Sequence, residues 1–396
     1  MKMQVDNSRE EKRQRIQKRR LSGFHKKLAR VFVIAIGMIV ILNIIKPSKD
    51  FSDSENRVLA QRPKLTWESV KSGKYMSEFE TYVSDQFILR NRWISLKLLE
   101  DKALGKKESN GVYLGKKGHL MEVLSEPDWE NVERNVKSIS DFAKENKKIP
   151  VYMTVVPNAA YILEDKMPFK APVRNQSEDL AQIKEWAGKK VKFVDVTKTM
   201  QEHADEQIYY KTDHHWTSLG AKYAFETIAK EMKIDDVAKS YNIHTVADDF
   251  EGTLASKSGY HGSEDKVQVY EPKKMKTKYM VYYVDEGEKS TSIYSSKALE
   301  EKDKYTVFFG GNHPRVEIST TNEEPRNLLI FKDSYANCFV QFLLPHYQNI
   351  VIIDPRYFYD SVDTIIEGYG ITEVLFLYNL NTFVTDTSIA DVLNGA

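Results

Sequence analysis

Asn327-Leu328-Leu329-Ile330-Phe331-Lys332-Asp333-Ser334-Tyr335 reads as an apolar strand that halts at a charged residue and leaves a serine at the start of a helix. An unbroken apolar run suits a strand buried on both faces, as in a parallel sheet covered by helices. In such sheets ligands collect beyond the carboxyl ends of the strands, and Ser334 stands just past one. The same rhythm recurs outward from this junction. Downstream come a helix at 335–344, a strand at 350–353, a helix at 361–367 and a strand at 373–377. Upstream, an amphipathic helix at 127–147 and a strand at 150–156 are followed by a helix at 178–190 and a strand at 191–196. A turn-bounded hairpin at 110–120 precedes them. A further helix at 218–232 has Thr217 or Ser218 as N-cap, with Ala221, Ala224, Phe225 and Ile228 inward. Strands alternating with helices predict an α/β fold built on a parallel sheet. The 235–326 segment breaks the rhythm. It is irregular, strand-rich and studded with Gly252, Gly259, Gly262 and the Gly310-Gly311-Asn312 turn, which suits an inserted subdomain or long active-site loops.

Thr212-Asp213-His214-His215-Trp216 supplies what the serine needs. A serine hydroxyl is a weak nucleophile at neutral pH and requires a positioned base and a group that orients the base. Asp213, two residues before His215, can share one turn with it. Ser334, His215 and Asp213 are therefore the expected catalytic residues, with His215 preferred to His214 as base.

The amino-terminal 30 residues hold eleven Lys/Arg against three Asp/Glu, and in the next fifteen, 31–45, only Asn43 is distinctly polar. A bilayer span takes roughly 17 to 25 apolar residues, a length reached here if Leu28 and Ala29 join and Arg30 and Lys46 snorkel. A cleaved signal peptide is the rival reading, but no small-x-small site follows Ile45. The expectation is a basic cytoplasmic leader at 1–30, a single-pass anchor at 31–46, a helical juxtamembrane region at 47–110, and a domain at 111–396 outside the cell. With a formal charge of +1, no nucleic-acid partner is indicated, and the leader cations suit an anionic inner leaflet. The single cysteine, Cys338, excludes an internal disulfide framework and reads as a buried apolar group.

The paired Asp-His-His-Trp and Lys-Asp-Ser-Tyr motifs resemble those of the DHHW family, related to alginate O-acetyltransferases among SGNH-hydrolase-like proteins. Weaker matches are Glu55-Asn56-Arg57-x-Leu59-Ala60, Asp85-x-Phe87-x-x-Arg90, the Gly111, Gly115 and Gly118 spacing, and Asp354-Pro355-Arg356-Tyr357. The resemblance implies an SGNH-like sheet and a membrane-tethered or exported enzyme. It also implies transfer of acetyl groups to surface polysaccharide through an acyl-serine, with the acid and base preceding the serine in permuted order. A separate membrane-bound O-acyltransferase is implied as acyl-donor partner, and polysaccharide as acceptor. No cofactor is expected.

Other residues carry open readings. Oxyanion or substrate candidates are the Ser334 N–H, Gly310, Gly311, Asn312, Asn379 and Asn381. SGNH esterases place glycine before Asp-Ser where this chain has Lys332, so the oxyanion hole is the least defined part. Tyr335 is a packing residue or a substrate contact, and Arg356 either clamps an anion or holds a loop. Trp216 packs or stacks on sugar, and Asp333 reads as a structural acceptor. Asp213, His214 and His215 with His261 offer a metal alternative, but without His-x-x-x-His spacing no metal is expected. The leading function is an extracytoplasmic O-acetyltransferase. A carbohydrate esterase with the same triad and an inactive anchored binding protein are the alternatives.

Overall fold

A computed structural model describes residues 2–52, 57–235, 237–238, 240–273 and 276–395. Glu55 and Asn56 of one weak motif lie outside the described residues, as do four positions of the 235–326 segment.

The chain divides into two compact units, Met1–Asp53 with Arg57–Ile94, and Ser54–Asn56 with Ser95–Ala396. In the first unit, helix α1 (Lys2–Ile45) ends two residues before Pro47, a residue that cannot continue a helix. Its stretch Leu21–Ile45 is 25 residues long and apolar enough to cross a membrane, which fits a single-pass anchor or a signal sequence. Helix α2 (Trp67–Lys71) starts from a capping box in which Thr66 and Ser69 satisfy each other's backbone N–H groups. Helix α3 (Lys74–Asp85) stops short of helix α4 (Arg90–Ala103), and Leu89 between them takes a left-handed φ of 56°. The helical region expected at 47–110 is thus interrupted by a turn between Asp85 and Arg90.

The second unit is built on an eight-stranded sheet. In chain order its strands are β1 (Val151–Val156), β2 (Val191–Phe193), β3 (Tyr279–Tyr283), β4 (Glu288–Ser290), β5 (Arg315–Thr320), β6 (Asn327–Lys332), β7 (Asn349–Ile353) and β8 (Glu373–Asn379). Their order across the sheet is β4-β3-β5-β7-β6-β8-β1-β2. From β7 to β2 all pairs are parallel, whereas β5, β3 and β4 extend the edge antiparallel. The sheet is therefore mostly, not wholly, parallel. The reason is local: residues 321–326 are too few for the dozen-residue crossover that a parallel β5 would need. The 235–326 segment also carries an antiparallel hairpin, Tyr241–Phe250 with Asp265–Pro272.

Alternate residues of β6 feed two cores. Leu328 and Ile330 join the cluster that holds Trp216, Phe225 and Phe339, and Leu329 and Phe331 join the opposite one with Val136, Ile183 and Phe376. Each such side chain contributes about 1.5–3 kcal/mol on burial, so a one-residue slip of β6 would exchange both sets and is strongly disfavoured. Helices α5 (Trp129–Glu145), α6 (Gln176–Ala187), α9 (Val362–Tyr369) and α10 (Ile389–Asn394) supply the second face; α7 (Ser218–Glu231) supplies the first, capped by Thr217. Helix α8 (Tyr335–Phe339) is shorter than the 335–344 read from sequence and continues as a 3₁₀ turn at Val340–Phe342. Because β6, β7, β8 and β1 run parallel, Ser334, Asp354, Asn379 and Asn158 all lie at one rim.

Candidate active site

The Asp213–Trp216 loop is clasped at its base. Tyr209 and Trp216 form an isolated antiparallel bridge, and the Thr217 N–H donates to the Ile208 carbonyl at 2.9 Å. Inside the loop, buried Asp265 accepts from the N–H groups of Lys211 and Thr212 and from the Thr212 hydroxyl, at 2.7 to 3.0 Å. A carboxylate can satisfy several orphan donors at once, which fixes the entry to Asp213.

Asp213 is fully enclosed. Its Oδ2 accepts from the Thr253 N–H and hydroxyl, both at 2.8 Å, and its Oδ1 accepts from the His215 backbone N–H at 2.9 Å and meets the ring Nδ1 at 2.5 Å. With a carboxylate on Nδ1, that nitrogen carries the proton and Nε2 is left as acceptor. Nε2 lies 2.7 Å from the Ser334 Oγ. The structure thus brings Asp213, His215 and Ser334 into one hydrogen-bonded line. His214 is turned aside, its Nδ1 2.8 Å from the Thr253 hydroxyl.

The electrostatics suit a neutral base. Burial, together with the neighbouring His214, pulls the His215 pKa down from 6.5 to about 4 despite the opposing Asp213 carboxylate. Burial works to raise the Asp213 pKa, but the two imidazoles and the hydrogen bonds from His215 and Thr253 outweigh it and hold the carboxyl well below the usual range. At neutral pH the arrangement is carboxylate, neutral imidazole and hydroxyl, which permits proton abstraction from Ser334 by Nε2.

The two motifs are stapled to each other by reciprocal bonds. The Trp216 indole N–H donates to the Tyr335 carbonyl at 2.9 Å, and the Tyr335 hydroxyl donates to the His214 carbonyl at 2.5 Å. Trp216 and Tyr335 are both buried in the core. Tyr335 thus holds the loop through its hydroxyl. Asp333 accepts from the N–H groups of Tyr335 and Asn379, at 2.9 and 2.8 Å, which ties the junction to β8.

The remaining sequence candidates are placed as follows. Gly310 and Gly311, at φ of 79° and 124°, turn the chain so that Asn312 meets Lys332. The buried Lys332 ammonium donates to Asn312 Oδ1 and Asn337 Oδ1, both at 2.8 Å, and lies 3.5 Å from Asp354. Burial lowers its pKa, partly offset by Asp354. Arg356 is held by Asp354 in a two-pronged pair at 2.8 and 2.6 Å, and so braces its loop. Asn379 Oδ1 accepts from Asn158 and from the Asn381 N–H, while Asn381 bonds Ser125 and Glu122. The Ser334 N–H has no hydrogen-bond partner among the described residues. His261 bonds Glu251 at 2.8 Å. The cluster Asp213, His214 and His215 has ligand atoms within 4.8 Å of one another, but both Asp213 oxygens are already taken up by Thr253 and His215.

Three contributors escaped the sequence reading: Asp265, Tyr305 and Thr253. Tyr305 stacks on the His215 ring with centroids 3.8 Å apart and donates its hydroxyl to the Ser334 carbonyl at 2.8 Å. Thr253 orients Asp213, and Gly252 leaves room for that carboxylate, since a Cβ there would run into it. Neither tyrosine nor threonine carries a spacing signal that would mark it.

A model of the DHHW protein family matches residues 130–353, more than half of the chain and both motifs. The chain belongs to the DHHW family. Among solved structures it is similar to a DHHW family protein of Eubacterium siraeum, at 25% identity and a TM-score of 0.61, over 72% of this chain and 96% of that one. PatB1 of Bacillus cereus, solved with a sulfonyl adduct, shares the fold at 21% identity and a TM-score of 0.58, over 70% of this chain and 97% of PatB1. The O-acetyltransferase domain of Pseudomonas putida AlgJ, at 13% identity and a TM-score of 0.44, covers 72% of this DHHW chain and 99% of its own, a likeness too slight to argue from. No curated protein matches the chain.

Proposed function

We propose that this DHHW protein is a membrane-anchored O-acetyltransferase acting outside the cell on surface polysaccharide. The observation that carries the reading is the hydrogen-bonded line Asp213–His215–Ser334, with contacts of 2.5 and 2.7 Å. Ser334 attacks the acyl carbon of the donor while Nε2 of His215 takes its proton, and His215 returns that proton to the leaving group. The acyl group then rests as an ester on Ser334. A sugar hydroxyl, deprotonated by the same imidazole, attacks that ester, and Ser334 leaves with the proton restored to it. Asp213 holds the imidazole in the required tautomer and stabilises the imidazolium.

Negative charge on the two tetrahedral intermediates needs donors, and the unpartnered Ser334 N–H supplies one. The acid and base precede the nucleophile in the chain, the permuted order of the triad. The acyl donor is a membrane-bound O-acyltransferase, with α1 retained and the 47–396 region outside. Gly310, Gly311, Asn312, Asn379 and Asn381 shape the loops around the site; Tyr335 and Arg356 position it.

An acetyl ester offered to the full-length protein with and without an oligosaccharide acceptor tests this reading. Acetylated oligosaccharide should form with the parent and vanish with Ser334→Ala, whose circular dichroism should match the parent. Release of acetate to water alone, unchanged by acceptor, would make the protein an esterase. Full surface acetylation in cells carrying Ser334→Ala would remove the nucleophile assignment altogether.

A further inference from the structure

The turn that joins α3 to α4 is fastened to the end of the apolar helix. The Ile88 N–H donates to Asn43 Oδ1 at 2.8 Å, and the Lys46 ammonium donates to the Gln86 carbonyl at 3.3 Å. Gln86 and the Lys49 backbone exchange two further bonds, at 3.0 and 2.8 Å. Asn43 lies in the final turn of α1, about 3 Å along the axis from Ile45. Residues 86–88 therefore sit level with the end of the span, whatever the tilt of the helix.

Two large apolar side chains follow this tether and are left uncovered. Leu89 is 57% exposed and Trp93 is 46% exposed. Leu89 holds its place at a positive φ, a conformation that costs a branched residue energy. The Trp93 indole N–H is already satisfied by the Ile88 carbonyl at 3.1 Å, so the exposed ring carries no unmet polar group. Such a ring enters the headgroup and acyl boundary without stranding a donor. The flanking charge is mostly positive: residues 46–50 and 86–93 contain Lys46, Lys49, Arg90 and Arg92 against Asp50, with Arg90 lying 4.0 Å from the adjoining Asp85. Cations beside exposed Trp and Leu match an interface lined with lipid phosphates.

We propose that Leu89 and Trp93 form a second membrane contact, seated in the headgroup layer of the leaflet at which α1 ends. This rests on α1 being a retained anchor. The occupant is the bilayer itself, so the contact forms without any other protein. It pins residues 86–93 to the membrane surface, where a single flexible tether would leave them free to swing.

The test uses the full chain in protein-free vesicles of phosphatidylcholine and phosphatidylglycerol. In a Cys338→Ala background, nitroxides are attached singly through Ile44→Cys, Leu89→Cys, Trp93→Cys and the exposed Lys189→Cys. Collision rates with oxygen and with a water-soluble nickel chelate report depth. Positions 89 and 93 should be several-fold less accessible to nickel than 189, yet shallower than 44. If 89 and 93 match 189 while 44 is shielded, the bilayer does not cover them and the inference is overturned. If 44 is itself open to nickel, the anchor reading fails and takes this contact with it. Two label positions guard against a single disruptive substitution.

Discussion

The serine junction at 332–337 and the histidine loop at 209–217 meet across a 2.7 Å hydrogen bond, yet they are held by different physics. The junction inherits its position from the sheet: β6 is paired on both sides, and Asp333 adds two backbone donors from α8 and β8. The loop has no ladder of its own beyond one bridge. It is positioned by side chains reaching in from elsewhere, Asp265 and Thr253 above all. The proposed nucleophile rides on regular structure, whereas the proposed base and its orienting acid depend on irregular contacts, each removable by one substitution.

The largest effect that sharpens this contrast comes from Asp213→Asn. The amide can present its N–H to the imidazole and favour the wrong tautomer, so turnover should fall roughly 10³- to 10⁴-fold with little change in fold. Steady-state transfer and a thermal melt check it. A loss below tenfold would mean that Asp213 does not set the tautomer.

Gly252→Ala should come next. The added methyl meets Asp213 although the backbone there, at φ of −80°, accepts any residue. A displacement approaching 1 Å at the acid should cost about 100-fold in turnover. The informative comparison is Gly311→Ala in the turn that carries Asn312 to Lys332: it has open space around the new methyl but a φ of 124°, so it should reduce stability more than it reduces turnover per folded molecule.

Tyr305→Phe keeps the stack on His215 and removes the bond to the Ser334 carbonyl. A neutral hydrogen bond is worth about 1 kcal/mol, so turnover should fall about fivefold. Equal activity in parent and variant would show that the carbonyl needs no such partner.

The smallest expected effect is in the pH profile. With His215 as the proposed neutral base and its pKa lowered to about 4, activity should be retained well below pH 6.5 and lost as pH falls through about 4. Lys332 is one of the charges that lower it. Lys332→Met should therefore move the acid limb upward by a fraction of a unit, measured as kcat/KM against pH. A limb at 6.5 in the parent would deny the buried setting of the imidazole.

The junction was readable because it obeys period and polarity. Four apolar residues in succession followed by Lys-Asp-Ser mark a buried strand and its end, and the β6–α8–β7–α9–β8 succession follows the same rules. The Asp-x-His spacing was readable because two residues suffice to bring a carboxylate under an imidazole in one turn. The antiparallel extension β5-β3-β4 was not, since apolar content alone does not give strand direction; the short 321–326 link was the available clue. Tyr305, Thr253 and Asp265 were hidden for another reason. Each lies tens of residues from what it supports, and aromatic, hydroxyl and acidic residues abound elsewhere in the chain without such a role. Lys332 was visible as a departure from glycine, but its burial against Asn312, Asn337 and Asp354 is a property of the folded rim.

The strand order has a consequence for how this molecule comes into being. β1 leaves the ribosome early, yet the neighbour that joins it to the rest of the sheet is β8, whose first residue is Glu373. Until then β1 and β6 have no strand to share, and the apolar residues of both remain open to wrong partners. Contacts of such long sequence separation form slowly and late. A nascent chain stalled between the end of β7 and residue 373 is therefore a divided sheet, with β1 and β6 as raw edges until β8 arrives to close the gap.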